Sequence, residues 1–142
     1  MKKYHSQFTK AELRCLLSRI RRIREGNIPT KHALKRMEER GITINEVKSV
    51  FHRYQVVEVK YDAKNKMSSD LNVLIKSIDP MEDGKDVYLA INLVNGNIVS
   101  TYKDTHREFG FVQPDISNYN ENMNIMSFLR FYRPKLNKIT NN

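Results

Sequence analysis

A chain of 142 residues, 39% hydrophobic and 29% charged, has the length of one globular domain and too much apolar content for a disordered segment. No apolar run approaches the roughly 20 residues that span a bilayer, no apolar h-region follows the basic start "MKKYHSQFTKAEL", and a single cysteine, Cys15, excludes an internal disulfide, so a cytoplasmic protein with no membrane partner is expected. The net charge of +9 lies wholly in the first part of the chain: residues 1–54 hold 14 Lys and Arg against 5 Asp and Glu, whereas residues 55–142 hold 11 of each. Solubility alone gives no reason for that segregation, which points to a polyanion such as nucleic acid.

Thr9 and Glu12 read as a capping box, followed by Leu13, Leu16, Leu17 and Ile20 at helical spacing. Arg14, Arg19, Arg21, Arg22 and Arg24 cover the other face, and Gly26 is the expected stop. After the linker "NIPT", a second helix is predicted from Lys31 to Arg40, with Thr30 as N-cap, Gly41 as stop and Ala33, Leu34 and Met37 inside. Thr43 and Glu46 open a third, carrying Val47, Val50 and Phe51.

The period then changes. "QVVEVKY" alternates, with Val57, Val59 and Tyr61 opposite Val56, Glu58 and Lys60; "LNVLIKSI" sets Leu71, Val73 and Ile75 against Asn72, Leu74 and Lys76. In "DVYLAINLVNGNIVSTYK", Asn95-Gly96 predicts a type I′ hairpin. The expectation is an α+β fold, with N-terminal helices packed on a roughly four-stranded, mostly antiparallel sheet. Residues 1–104 form the domain, and 105–142 are a C-terminal extension. The end of that extension, "IMSFLRFYRPKLNK", reads equally as a final helix, a recognition arm or a loose terminus.

The histidines His5, His32, His52 and His106 show no metal-ligand spacing, and there is no C-x-x-C, Walker loop or G-x-S-x-G. An enzyme here is expected to use no metal or cofactor. RNA permits that, because its 2′-hydroxyl is a nucleophile already beside the phosphate. His32, Arg36 and Arg40 stand one helical turn apart, with His32 in the first turn, where the helix dipole favours phosphate. The same row also reads as a solvated basic face. His106, beside Lys103 and Arg107, is a second candidate proton carrier. His5 and His52 read as loop or surface residues, Cys15 has no assigned role, and Tyr88 and Tyr102 read as packing.

"HALKRMEERGITINEVKSVF", followed by strands and "GNIVSTYKD", resembles a family of small uncharacterised bacterial and phage domains. Their opening helix reads H-A-x-x-R-M-x-x-R-G-I and their closing strand I-x-T-x-Y. That family is similar in turn to the barnase–EndoU–colicin–RelE group of metal-independent ribonuclease toxins. The resemblance covers about residues 30–104. It implies a RelE/barnase-like fold and places motif positions on His32, Arg36, Arg40, Tyr102 and either Ser100 or Thr101.

With the resemblance, the expected activity is RNA cleavage by 2′-hydroxyl attack, in a toxin or phage effector met by an acidic antitoxin. His32, Arg36, Arg40, Lys60, Thr101 and His106 form the expected catalytic set, and the sheet the floor of a groove. Arg19, Arg21, Arg22, Arg24, Lys31 and Lys35 are expected to contact phosphates. The alternative is a non-enzymatic regulator or inhibitor that binds nucleic acid or protein through the basic N-terminal helices.

Overall fold

The computed structural model describes residues 1–24, 29–63, 69–108 and 118–131. Strand β1 (Lys2–Tyr4) leads through a 3₁₀ turn (His5–Gln7) into helices α1 (Lys10–Arg24), α2 (Lys31–Arg40) and α3 (Ile44–Val50). Strands β2 (Tyr54–Ala63), β3 (Ser69–Ser77), β4 (Lys85–Asn92) and β5 (Ile98–Thr105) follow, then helix α4 (Ile125–Phe131). The five strands form one antiparallel sheet in the order β1-β2-β3-β4-β5.

The α+β class is as expected, and the caps explain the helix starts. Thr30 Oγ1 accepts from the Ala33 amide, and Gly41 ends α2 at a φ of 67°. The Thr43/Glu46 capping box opens α3. The main core lies between the helices and one sheet face, with Leu16, Ile20 and Ile23 of α1 over Val59, Val73 and Ile91. Of the expected inner residues, Leu34 is exposed, because α2 turns Ala33 and Met37 onto the sheet. Leu13 is exposed too, since Glu12 takes the buried place at the start of α1.

Four features differ from the expectation. The fifth strand, β1, is a three-residue edge, too short to show an alternation. A register shift between Val56 and Glu58 puts Val56 into the main core and Val57 on the opposite face with Tyr4 and Tyr88, reversing the expected sides. The hairpin between β4 and β5 is not a two-residue turn. Residues 93–97 make a longer loop, in which Asn92 Oδ1 accepts from the Val94 and Asn95 amides and the Gly96 amide donates to Asn92 O. Finally, the far sheet face is not a bare floor, because Tyr4, Val57 and Tyr88 are buried there and Leu74, Tyr102 and Tyr119 pack on them.

Residues 118–131 of the expected extension are built into the same core. Met123, Ile125 and Leu129 are buried in it, and Phe128 stacks on Tyr61 with centroids 4.3 Å apart. A buried ion pair holds this arrangement. Lys3 Nζ donates to Glu12 Oε1 (2.7 Å) and to the Met123 carbonyl (3.0 Å). The Glu12 carboxylate also accepts the Thr9 amide and, through Oε2, the Ile125 amide at the start of α4. Burial pushes the Glu12 carboxyl up, but these bonds outweigh it and hold it below its ordinary value. Removing the carboxylate strands a buried ammonium. Glu12→Ala is expected to cost about 3–5 kcal/mol in urea unfolding, with most of the loss recovered in the Lys3→Met/Glu12→Leu double variant. A single-variant loss under about 1 kcal/mol would place the pair among weak surface-like bridges.

Candidate functional site

The expected catalytic set does not converge. His32 and Arg36 are exposed on α2, and Arg36 Nη1 meets Glu39 Oε2 at 3.3 Å. Arg40 Nη1 donates to the carbonyl of Thr101 at 2.5 Å, so α2 and β5 do come together at that one point. The Thr101 hydroxyl is no open donor, however. It is buried on the helix-facing side with no hydrogen-bond partner among the described residues. Lys60 lies exposed on the opposite sheet face, 3.5 Å from Asp62.

His32 stands beside the start of β5, where the Thr30 amide donates to Ile98 O, whereas His106 follows the end of that strand. At roughly 3.4 Å per residue about 25 Å of strand separates them, so they cannot serve one phosphate. The exposed face of α1 keeps Arg21 and Arg22, and α2 keeps Lys31 and Lys35. Arg19 is committed elsewhere, donating to the Leu129 carbonyl at 2.6 Å, and the Arg24 side chain lies outside the described residues. His52 is exposed.

His106 is the expected residue with a developed setting. Its Nδ1 lies 2.7 Å from Asp86 Oδ1. Asp86 is fully buried at the start of β4, and its Oδ2 accepts from Lys76 Nζ (2.6 Å) and the Arg107 amide (3.0 Å). Lys76, also fully buried, donates to the carbonyls of Ser77 and Arg107 as well (3.1 and 2.6 Å). Its three protons are therefore all used. Burial pushes the Asp86 carboxyl up, yet the bonds from Lys76, His106 and the Arg107 amide overcome that and hold it below the carboxylate range. An ionised carboxylate only accepts, so His106 Nδ1 carries the proton and Nε2 is left to exchange one.

His106 lines a cavity of about 690 Å³ whose other polar walls are His5, Arg53, Gln55 and Glu108. His5 comes from the 3₁₀ turn after β1, its ring against Tyr4 with centroids 4.2 Å apart. Burial lowers its pKa below the usual 6.5, which keeps the imidazole neutral at neutral pH. Arg53 lies 3.7 Å from Asp79 with both side chains largely in water, a loose pair that leaves the guanidinium free to swing. The sequence suggests a loop or surface position for His5, since one histidine in a short non-periodic segment gives no sign of what folds over it. Two imidazoles, a guanidinium and an oriented carboxylate give acid–base chemistry beside an anion. Among the described residues no three His, Cys, Asp or Glu side chains come together to hold a metal ion, and no helix is long and apolar enough to cross a membrane.

Residues 30–76 match the model of a family described as a domain of unknown function (DUF4258). No curated protein and no solved structure matches the chain significantly. The match agrees with a resemblance to uncharacterised domains and lends nothing to the ribonuclease-toxin part of it. It runs from Thr30 to Lys76, so it includes the α2 row and Lys60 but leaves out His5, Asp86, Thr101 and His106.

The Lys76–Asp86–His106 unit gives a pH-dependent contribution of known sign. Because the Asp86 carboxyl is depressed in the fold, its contribution is full above the unfolded value of about 3.9 and disappears as pH falls through the folded value. Asp86→Asn should therefore lower stability at neutral pH and flatten the acid limb of a plot of unfolding free energy against pH. An acid limb of unchanged steepness in the variant would show that Asp86 is not held ionised by Lys76.

Proposed function

We propose that this chain is a metal-independent endoribonuclease, a toxin or phage effector, whose proton carriers are His5 and His106. The observation that supports it most is the Asp86–His106 pair opening on a cavity shared with a second imidazole. In this reading neutral His5 takes the proton from an RNA 2′-hydroxyl, whose oxygen attacks the adjacent phosphorus. The bond from phosphorus to the 5′-oxygen breaks, and His106, entering the step protonated on both nitrogens, gives that oxygen its Nε2 proton while Asp86 holds the ring through Nδ1. The products are a 2′,3′-cyclic phosphate and a 5′-hydroxyl, with protons balanced between the two imidazoles. Arg53 is the cation for the charge that develops on the phosphoryl oxygens.

The excess of positive charge in residues 1–54 supports a polyanionic substrate. Arg21 and Arg22 on α1 and Lys31 and Lys35 on α2 remain exposed to draw it in or to meet an acidic antitoxin. The row of His32, Arg36 and Arg40 belongs in this reading to backbone binding, with Arg40 partly committed to Thr101. The regulator reading rests on the same exposed cations and needs no cavity.

Incubation with RNA in EDTA, followed by end-group analysis, separates them. Wild type is expected to leave 2′,3′-cyclic phosphates, His106→Ala to cleave about 10²–10⁴-fold more slowly, and His32→Ala to stay within a few-fold of wild type. Loss with His32→Ala alone would move the site to α2. Salt-sensitive RNA binding without cleavage, on free and ribosome-bound RNA alike, would favour the regulator. The kcat/KM profile should rise with pH at a value below the ordinary imidazole 6.5, because the base works deprotonated and the His5 pKa is lowered.

A further inference from the structure

The cavity holding His5 and His106 has a second half that acid–base chemistry does not use. Phe8, Leu13, Leu17, Tyr54, Val56 and Ile78 form an apolar wall, contributed by α1, the segment before it, the start of β2 and the end of β3. Val56 belongs to the main core and Phe8, Leu17 and Tyr54 pack against it, whereas Leu13 is the exposed member of the wall. The main core takes Leu16, Ile20 and Ile23 from α1, whereas Leu13 stays exposed and meets the protein at the cavity. An exposed leucine on the rim of an apolar hollow that ends in two imidazoles and a guanidinium fits a ligand with two unlike ends. One end is flat and apolar on its faces; the other is an anion. A nucleotide has that form.

We infer that the apolar half is a slot for one unpaired nucleobase, with the phosphate attached to that nucleotide lying among His5, His106 and Arg53. The inference rests on the ribonuclease reading for its substrate, and it adds the requirement that the base leave its stack. The base faces lie against Leu13, Leu17 and the Tyr54 ring. Its polar edge lies toward Gln55 and Glu108 in the cavity lining. A base held in a helical stack presents no free face, so the site selects single-stranded loops and ends over duplex.

The test uses the full chain and probes that cannot be cleaved. Binding of a single-stranded deoxydinucleotide, which lacks the 2′-hydroxyl, is compared by calorimetry with its abasic counterpart and with a short duplex. The dinucleotide is expected to bind at least about tenfold more tightly than either. Leu13→Asp, at an exposed position that tolerates a charge, should abolish that advantage, while circular dichroism shows the fold kept. Leu17→Ala is the second variant, expected to weaken the dinucleotide and leave the abasic probe unchanged. Equal binding of dinucleotide and abasic probe, or an unaltered preference in both variants, would overturn the slot. Cleavage of duplex RNA as fast as single-stranded RNA would overturn the slot alone. Base-dependent binding with no cleavage of any RNA would keep the slot and overturn the ribonuclease reading alone.

Discussion

The buried carboxylate of Asp86 is the constraint on which the cavity depends. Its two oxygens receive a lysine ammonium, an imidazole N–H and a backbone amide, all within 3.0 Å. A buried ion pair is seldom more stabilising than apolar residues of the same shape, so stability is a poor account of Lys76 and Asp86. Position is a better one. Lys76 lies on β3, Asp86 on β4, and His106 with Arg107 on the chain leaving β5, so the network folds that segment back across the end of the sheet. His106 reaches the cavity mouth because the carboxylate is there to receive it. Without Lys76, burial would push the Asp86 carboxyl toward its neutral form, and the fixed acceptor behind the imidazole would be lost.

A second buried pair does the same on the other side of the sheet. Lys3 and Glu12 face the helices, and through the Met123 carbonyl and the Ile125 amide they seat α4 against α1. The last third of the described chain is thus tied down twice by carboxylates, once on each sheet face. Glu12 also caps α1, so one side chain starts a helix, neutralises a buried lysine and fixes a segment more than a hundred residues away. The cavity lies between these two anchors: His5 follows β1 directly, two residues after Lys3, and Leu13 follows Glu12.

Local signals carried much of this into the sequence. The capping boxes at Thr9/Glu12 and Thr43/Glu46, the Gly41 stop and the alternation in Leu71–Ile75 each act over a few residues, and each is realised. What depended on distant partners was not legible. The bulge at Val57 lies in the pairing of β2 with β3, and no local pattern announces it. Glu12 read only as a cap, and nothing near it in sequence pointed to Lys3 or α4. The faint long-range hint was Lys76: a lysine inside "LNVLIKSI" needs a buried anion, and Asp86 opens the next strand.

The family match sharpens the choice between the two histidines. Residues 30–76 bring α2, α3, β2 and most of β3, so the matched segment contains His32, Arg36 and Arg40. That row has its own structural occupation: Arg36 is engaged with Glu39, and Arg40 fastens α2 to the edge of the sheet through a carbonyl of β5. Chemistry needs more than a matched row. It needs a proton carrier with a fixed tautomer, a second one nearby and a place from which water can be displaced. In the proposed reading His106, held by Asp86, meets the first need, His5 on the same cavity lining the second, and the cavity the third. His5, Asp86 and His106 lie outside the matched segment, whereas Lys76 and the cavity's Arg53, Tyr54, Gln55 and Val56 lie inside it. If activity follows His106, the matched segment supplies Lys76 and one wall of the cavity while both proton carriers come from outside it; if it follows His32, the buried network at Asp86 is an anchor for the C-terminal segment and nothing more.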